Sequence, residues 1–173
     1  AASCNIDVTF DPSSNAGVFP DTIEMPYNNG AELDTATRDI SGTAVTPASL
    51  AISDGPTYDY GVAAIGSTVT HTFTITNRGG FQATALLDTG GLAAPFNYLG
   101  GTYPGTGGDC NVSLPAGASC TVVVEFAPTV AAISNDTIDI SYNDGLVAQN
   151  VTRDVQGTGV VPANITITET DPY

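Results

Sequence analysis

The feature that most constrains this chain is that it carries part of itself twice. "SCNIDVTFDP" from Ser3 returns as "SCTVVVEFAP" from Ser119, and "DTIEMPYNNG" from Asp21 returns as "DTIDISYNDG" from Asp136. "TRDISGTAVTPASLAI" from Thr37 is matched by "TRDVQGTGVVPANITI" from Thr152. With one single-residue gap, residues 1–58 align on 117–173 with 23 identities in 57 pairs. The period, about 115 residues, is that of one sandwich-sized domain and far longer than a solenoid repeat. Whatever the first stretch folds into, the last stretch must be able to form as well.

The two ends fall inside the repeat. Ala1 corresponds to Gly117, in mid-domain, and Tyr173 corresponds to Tyr58, just after a first strand. The expected organisation is the C-terminal half of a repeat (1–46), a complete repeat (47–161) and the first strand of a following one (162–173). A second arrangement stays open, in which the 173 residues are a mature subunit and "PANITIT" is donated to a neighbouring copy.

The cysteines fit this reading. Nine residues separate Cys110 from Cys120 in "DCNVSLPAGASC", with Pro115–Ala116–Gly117 turning the chain midway. That spacing suits a disulfide closing a hairpin-like loop, which would stabilise the fold by roughly 3 kcal/mol. Cys4 is the copy of Cys120 and has no near neighbour. Its mate is expected some ten residues before Ala1; an intermolecular bond or a free thiol is the alternative.

Composition sets the class. The chain has 18 acidic residues against three basic ones, for a formal charge of −15. The basic residues are Arg38, Arg78 and Arg153; there is no lysine. Such a surface repels phosphate backbones and anionic head groups, so neither nucleic acid nor a membrane is an expected partner. No run of about 18 apolar residues is present to span a bilayer, and no charged-then-apolar leader occurs in this stretch. Abundant Thr, Val, Ile, Gly and Pro point to an all-β protein with many turns.

Period-two alternation marks the strands. In "STVTHTFTITN", Val69, His71, Phe73 and Ile75 share one face and threonines line the other. Val122, Val124 and Phe126 form an inward row whose earlier copy is Ile6, Val8 and Phe10. Ile138, Ile140 and Tyr142 form another, matched by Ile23, Met25 and Tyr27. "YNDG" and "YNNG" carry the pairs that tight hairpin turns use. The fold class expected is all-β: immunoglobulin-like sandwich repeats in tandem, about seven antiparallel strands each.

The strings "YDYGVAAIGSTVTHTFTITNRG", "APFNYLGG", "CNVSLPAGASCTVVVEFAP", "ISYNDG" and "GTG" carry a family resemblance. They resemble the immunoglobulin-like repeats of bacterial secreted proteins labelled choice-of-anchor D, which are similar to the abnormal-spindle/hydin group and to major sperm protein. The resemblance implies architecture, tandem arrangement and export. It implies no catalytic activity, and the fold hosts many functions.

Catalytic chemistry finds little support. His71, the one histidine, sits in an inward strand row, where a partly buried structural role is expected. With no lysine and a single histidine, a Ser–His–Asp triad or a His-rich zinc site has no persuasive set of residues. Carboxylates abound, but nothing marks two as a pair. "SNDTID" (134–139) and "TETDPY" (168–173) hold closely spaced oxygens that would suit calcium. Neither follows EF-hand spacing, and no cofactor is expected.

The stretch 87–110 is long, rich in glycine and without clear alternation. Loops of this kind often carry binding. Phe96 is expected in the core, whereas Tyr98 and Tyr103 are candidate contacts for a neighbouring domain or subunit. Short joints containing Pro47 and Pro162 would give a stiff string of domains. The functional expectation is therefore a non-catalytic segment of an extracellular stalk or filament at a bacterial surface, whose partners are neighbouring copies of the same repeat. An adhesin-type module for glycan or protein, and an accessory module of a larger secreted enzyme, are the alternatives.

Overall fold

Two turns of the same chemistry organise the two longest hairpins. In a computed structural model, which describes residues 3–12 and 15–169, β1 (Gly17–Asn28) pairs antiparallel with β2 (Leu33–Ala44). The Asn28 carboxamide accepts the Gly30 amide at 2.8 Å, and Gly30 takes φ 98°, a region that glycine enters without steric cost. The same device recurs at Asn143 and Gly145, again at 2.8 Å, with φ 102°. Both loops hold four residues rather than the two that the Asn-Gly and Asp-Gly pairs lead one to expect. The extra length comes from a turn closed by Asn29 N–H to the Glu32 carbonyl and by Asp144 N–H to the Val147 carbonyl.

The chain divides into two units, residues 1–46 and 47–173. In the first, β1 and β2 form a two-stranded sheet. The ring of Phe10 lies on Gly42 of β2 and 6.0 Å from the ring of Phe19.

The second unit is a two-layer sandwich. Its strands are β3 (Leu50–Ile52), β4 (Thr57–Ala64), β5 (Val69–Asn77), β6 (Ala83–Asp88), β7 (Phe96–Tyr98), β8 (Ser113–Leu114), β9 (Ser119–Phe126), β10 (Ile133–Asn143) and β11 (Ala148–Val160). One sheet runs β4-β11-β10-β6-β8 and the other β3-β5-β9-β7. The all-β, immunoglobulin-like class is as the alternation indicates. Two details differ. Among the described residues this unit has nine strands, not about seven, because β7 and β8 are too short to show a period. One pair, β4 with β11, is parallel, so the sheets are not wholly antiparallel.

The core lies between the sheets, where the two inner faces remove their side chains from water. Phe73 and Ile75 from β5, Val122, Val124 and Phe126 from β9, and Ile138 and Ile140 from β10 are fully buried. Phe96 joins them, stacked 5.0 Å from Phe126.

Chain entry and exit lie at opposite ends of the long β10–β11 hairpin. The Ala48 amide bonds the Asp144 carbonyl at the turn end, while Val160 closes β11 at the far end, with its carbonyl accepting the Ile65 amide. A strand rises about 3.3 Å per residue. The thirteen residues of β11 therefore separate the two points by the length of the sandwich.

Candidate functional site

Cys110 and Cys120 are bonded, with Cα atoms 4.9 Å apart. The loop between them turns through Pro115, whose carbonyl accepts the Ala118 amide, and Gly117, at φ 72°. The bond ties the chain three residues before β8 to the start of β9 and so fixes an edge of one sheet to the other. Cys4 is free and exposed.

Tyr98 and Tyr103 do not lie where an interface would need them. Tyr98 is 3% exposed and belongs to the core, and Tyr103 packs against that core, 5.4 Å from Tyr98 and edge-on. The expectation of exposed contact tyrosines is corrected. β7 turns Phe96 and Tyr98 inward together, two residues apart on one strand face. Burial pushes the Tyr103 hydroxyl up to about 12 and raises that of Tyr98 further. Both therefore stay neutral in the fold.

His71 is half-buried, as its row predicts. Its ring stacks on Tyr58 with centroids 3.8 Å apart, and Nε2 lies 3.1 Å from the Asp54 carboxylate. Ser53 Oγ donates to the same carboxylate oxygen at 2.5 Å, and these hydrogen bonds hold the Asp54 carboxyl below its usual range. The order is Ser–Asp–His. General-base activation of a serine requires the imidazole on the hydroxyl, and here the carboxylate stands between them.

Residues 134–139 are not a loop: they lie within β10. Asp136 accepts the Ala93 and Thr137 amides, and Asp139 accepts the Asn150 carboxamide. Among the described residues no three His, Cys, Asp or Glu side chains gather as a metal site. The last four residues of 168–173 lie outside the described residues.

Two residues do more than their positions in the sequence announce. Asn77, fully buried in "TNRG", accepts the Ser49 and Gly79 amides through Oδ1. Its Nδ2 donates to the carbonyls of Phe81 and Leu114. A single carboxamide thereby satisfies four backbone groups from three segments. Arg153, on β11, reaches across to β3, where Nη2 donates to the Ile52 carbonyl at 2.5 Å and Nη1 to the Pro56 carbonyl at 2.7 Å. The signal for Arg153 was available, because two of three basic residues, Arg38 and Arg153, sit at equivalent repeat positions.

The first unit reproduces the β10–β11 geometry without its cover. Ile23 stands opposite Arg38, as Ile138 stands opposite Arg153. Thr22 Oγ1 donates to Asp39 at 2.8 Å, and Thr137 Oγ1 to Asp154 at 2.8 Å. Phe10 lies on Gly42 as Phe126 lies on Gly157. Burial is what differs. Val8, Phe10 and Met25 are 56%, 48% and 41% exposed, whereas their counterparts Val124, Phe126 and Ile140 are each 0%. The inward rows read from the sequence for 6–10 and 23–27 are exposed here apart from the half-buried Ile23, whereas the counterpart rows of the second unit are covered by the facing sheet. An apolar face of this kind marks a surface made to be covered. It is the candidate functional site.

No protein-family model matches the chain, and no curated protein matches it by sequence. Solved structures do share its fold. A structure of the VesB protease of Vibrio cholerae superposes with a TM-score of 0.50 at 20% identity, over 65% of this chain and 32% of that one. The match thus takes in about a third of VesB. A human CEP192 ASH/PapD-like domain gives 0.44 at 13% identity, over 69% and 89% of the two chains. A protein of unknown function from Porphyromonas gingivalis W83 gives 0.45 at 13%, over 84% and 68%. The VesB likeness is one of fold alone.

Proposed function

We propose that this chain is a non-catalytic structural segment of an extracellular tandem-repeat stalk or filament at a bacterial surface. In this reading residues 1–46 are the C-terminal half of one repeat, 47–161 a complete repeat and 162–173 the start of a third. The observation that carries it is the repeated register, Ile23 opposite Arg38 and Ile138 opposite Arg153, in a unit whose entry and exit lie at opposite ends. The disulfide supports export, since such bonds persist in oxidising compartments. No helix among the described residues is long and apolar enough to cross a membrane. Electron microscopy and intact-mass measurement on the native material test the proposal. Extended particles and a mass of many repeats are expected, and discrete short monomers would overturn it.

A second reading, an accessory module of a larger secreted enzyme, is favoured by one observation. The shared fold occupies only a third of the VesB protease. A distinct domain with an organised active site in the same native polypeptide would decide for it.

A further inference from the structure

We propose that the parallel pair of β4 and β11 is a tension clamp: a pull that enters the second unit at Pro47 and leaves it at Val160 is resisted by these two strands lengthwise. The proposal deepens the stalk reading, on which it rests, by naming the element that withstands tension within a repeat.

The path of the chain sets the direction of the pull. Ala48 is held at the turn end of the β10–β11 hairpin, its amide on the Asp144 carbonyl, and Val160 stands at the far end. Between them residues 52–64 run beside β11 in the same sense. Arg153 of β11 bonds the Ile52 and Pro56 carbonyls, Thr57 then stands beside Asp154, and Ala64 beside Val160. Tension draws the entry segment toward the turn and β11 toward the exit. The two strands are parallel and their loaded ends point apart, so the six register pairs between them resist together. A pair pulled from adjacent ends would open one bond at a time.

Side chains oppose the same slide. Gln156 Nε2 of β11 donates to the Asp59 carboxylate of β4 at 2.8 Å, a rung on the outside of the pair. On the inside, Tyr60 is 7% exposed and its hydroxyl donates to the Val124 carbonyl at 3.0 Å. The register shifts between Gln156 and Thr158, beside Gly61 at φ 74°, and Ala63 beyond that irregularity is buried as well. A slip of one residue would turn Tyr60 out of the core and carry the irregularity out of register. Arg153 adds a rung nearer the entry, since it joins β11 directly to the segment that leads into β4. A lysine there keeps the charge but cannot hold two carbonyls with a planar fork.

Single-molecule pulling on the full chain, with handles on its two ends, tests this. The second unit is recognised by a rip of roughly 300 Å, the extended length of 47–160 less the loop that Cys110–Cys120 keeps shut. In a second arrangement the handles move to Ser67→Cys and Val161→Cys, with Cys4→Ser, so that β4 and β11 are pulled apart from their adjacent ends. The end-to-end pull is expected to need about twofold or more force at equal pulling speed, because the pairs yield together and forced unfolding follows the barrier. Arg153→Lys lowers the end-to-end force and leaves the other where it was, since opening from the exit end begins far from Arg153. Equal forces in the two arrangements overturn the clamp. Equal weakening of both by Arg153→Lys overturns the part given to Arg153. Either result leaves the stalk reading to be judged by the mass of the native material.

Discussion

The ring of Phe126 lies on Gly157 so closely that a Cβ there would stand 2.7 Å from it. Phe10 lies on Gly42 in the same way, at 2.6 Å. One contact is thus built twice, once sealed in a core and once half in water. Gly157→Ala is expected to destabilise the second unit by about 1–3 kcal/mol, because Phe126 has nowhere to go. Gly42→Ala should cost much less, since the half-exposed Phe10 can swing away. Calorimetric melting of the two variants checks the asymmetry.

Asn77 joins three segments through one buried carboxamide. Asn77→Ala leaves two amides and two carbonyls without their partner, at a cost of about 3 kcal/mol or more. Asn77→Asp restores the acceptor but faces a carboxylate toward the Phe81 and Leu114 carbonyls, and should be no better. Urea unfolding followed by near-ultraviolet tyrosine signals reads this as a lower midpoint at unchanged slope.

These residues show where the sequence is legible and where it is not. Period-two rows such as Phe73 and Ile75 give strand, face and core at once, because burial acts on every second side chain. The disulfide follows from spacing and the repeat from direct comparison. The short strands β7 and β8 carry no period, so Tyr98 read as a loop tyrosine although it points into the core. Asn77 looks like any polar residue at a strand end until its four partners, up to 37 positions away, come together. The open face of the first unit is the sharpest case. Its sequence is patterned for burial, and whether burial occurs depends on strands that the pattern does not contain.

Cys110–Cys120 closes a loop short enough that its reduction should cost the second unit about 3 kcal/mol. A thiol reagent added without reductant should find one reactive group, Cys4, in a polypeptide of residues 1–173. Its alkylation should leave the melting of the second unit where it was. Thiol titration with calorimetry on oxidised and reduced protein measures both effects.

Asp144 accepts the Val147 and Leu146 amides at 2.8 Å each, and those bonds hold its carboxyl below the ordinary value. A depressed carboxyl contributes stability that is full above the unfolded value of about 3.9 and is lost as pH falls through the folded one. The first unit shows the remedy, because Asn29 accepts the Ala31 and Glu32 amides at 2.9 and 3.0 Å. Asp144→Asn should therefore match the parent near pH 7 and lose less stability below pH ~4. Denaturant midpoints across that window measure the difference.

Native-state hydrogen exchange compares the two hairpins directly. The account predicts that β10–β11 amides exchange only with unfolding of the whole second unit. Those of β1–β2, with equal register and no cover, should exchange at least about 100-fold faster. Equal protection of both hairpins would contradict the claim that the first unit is the same half-sandwich left open.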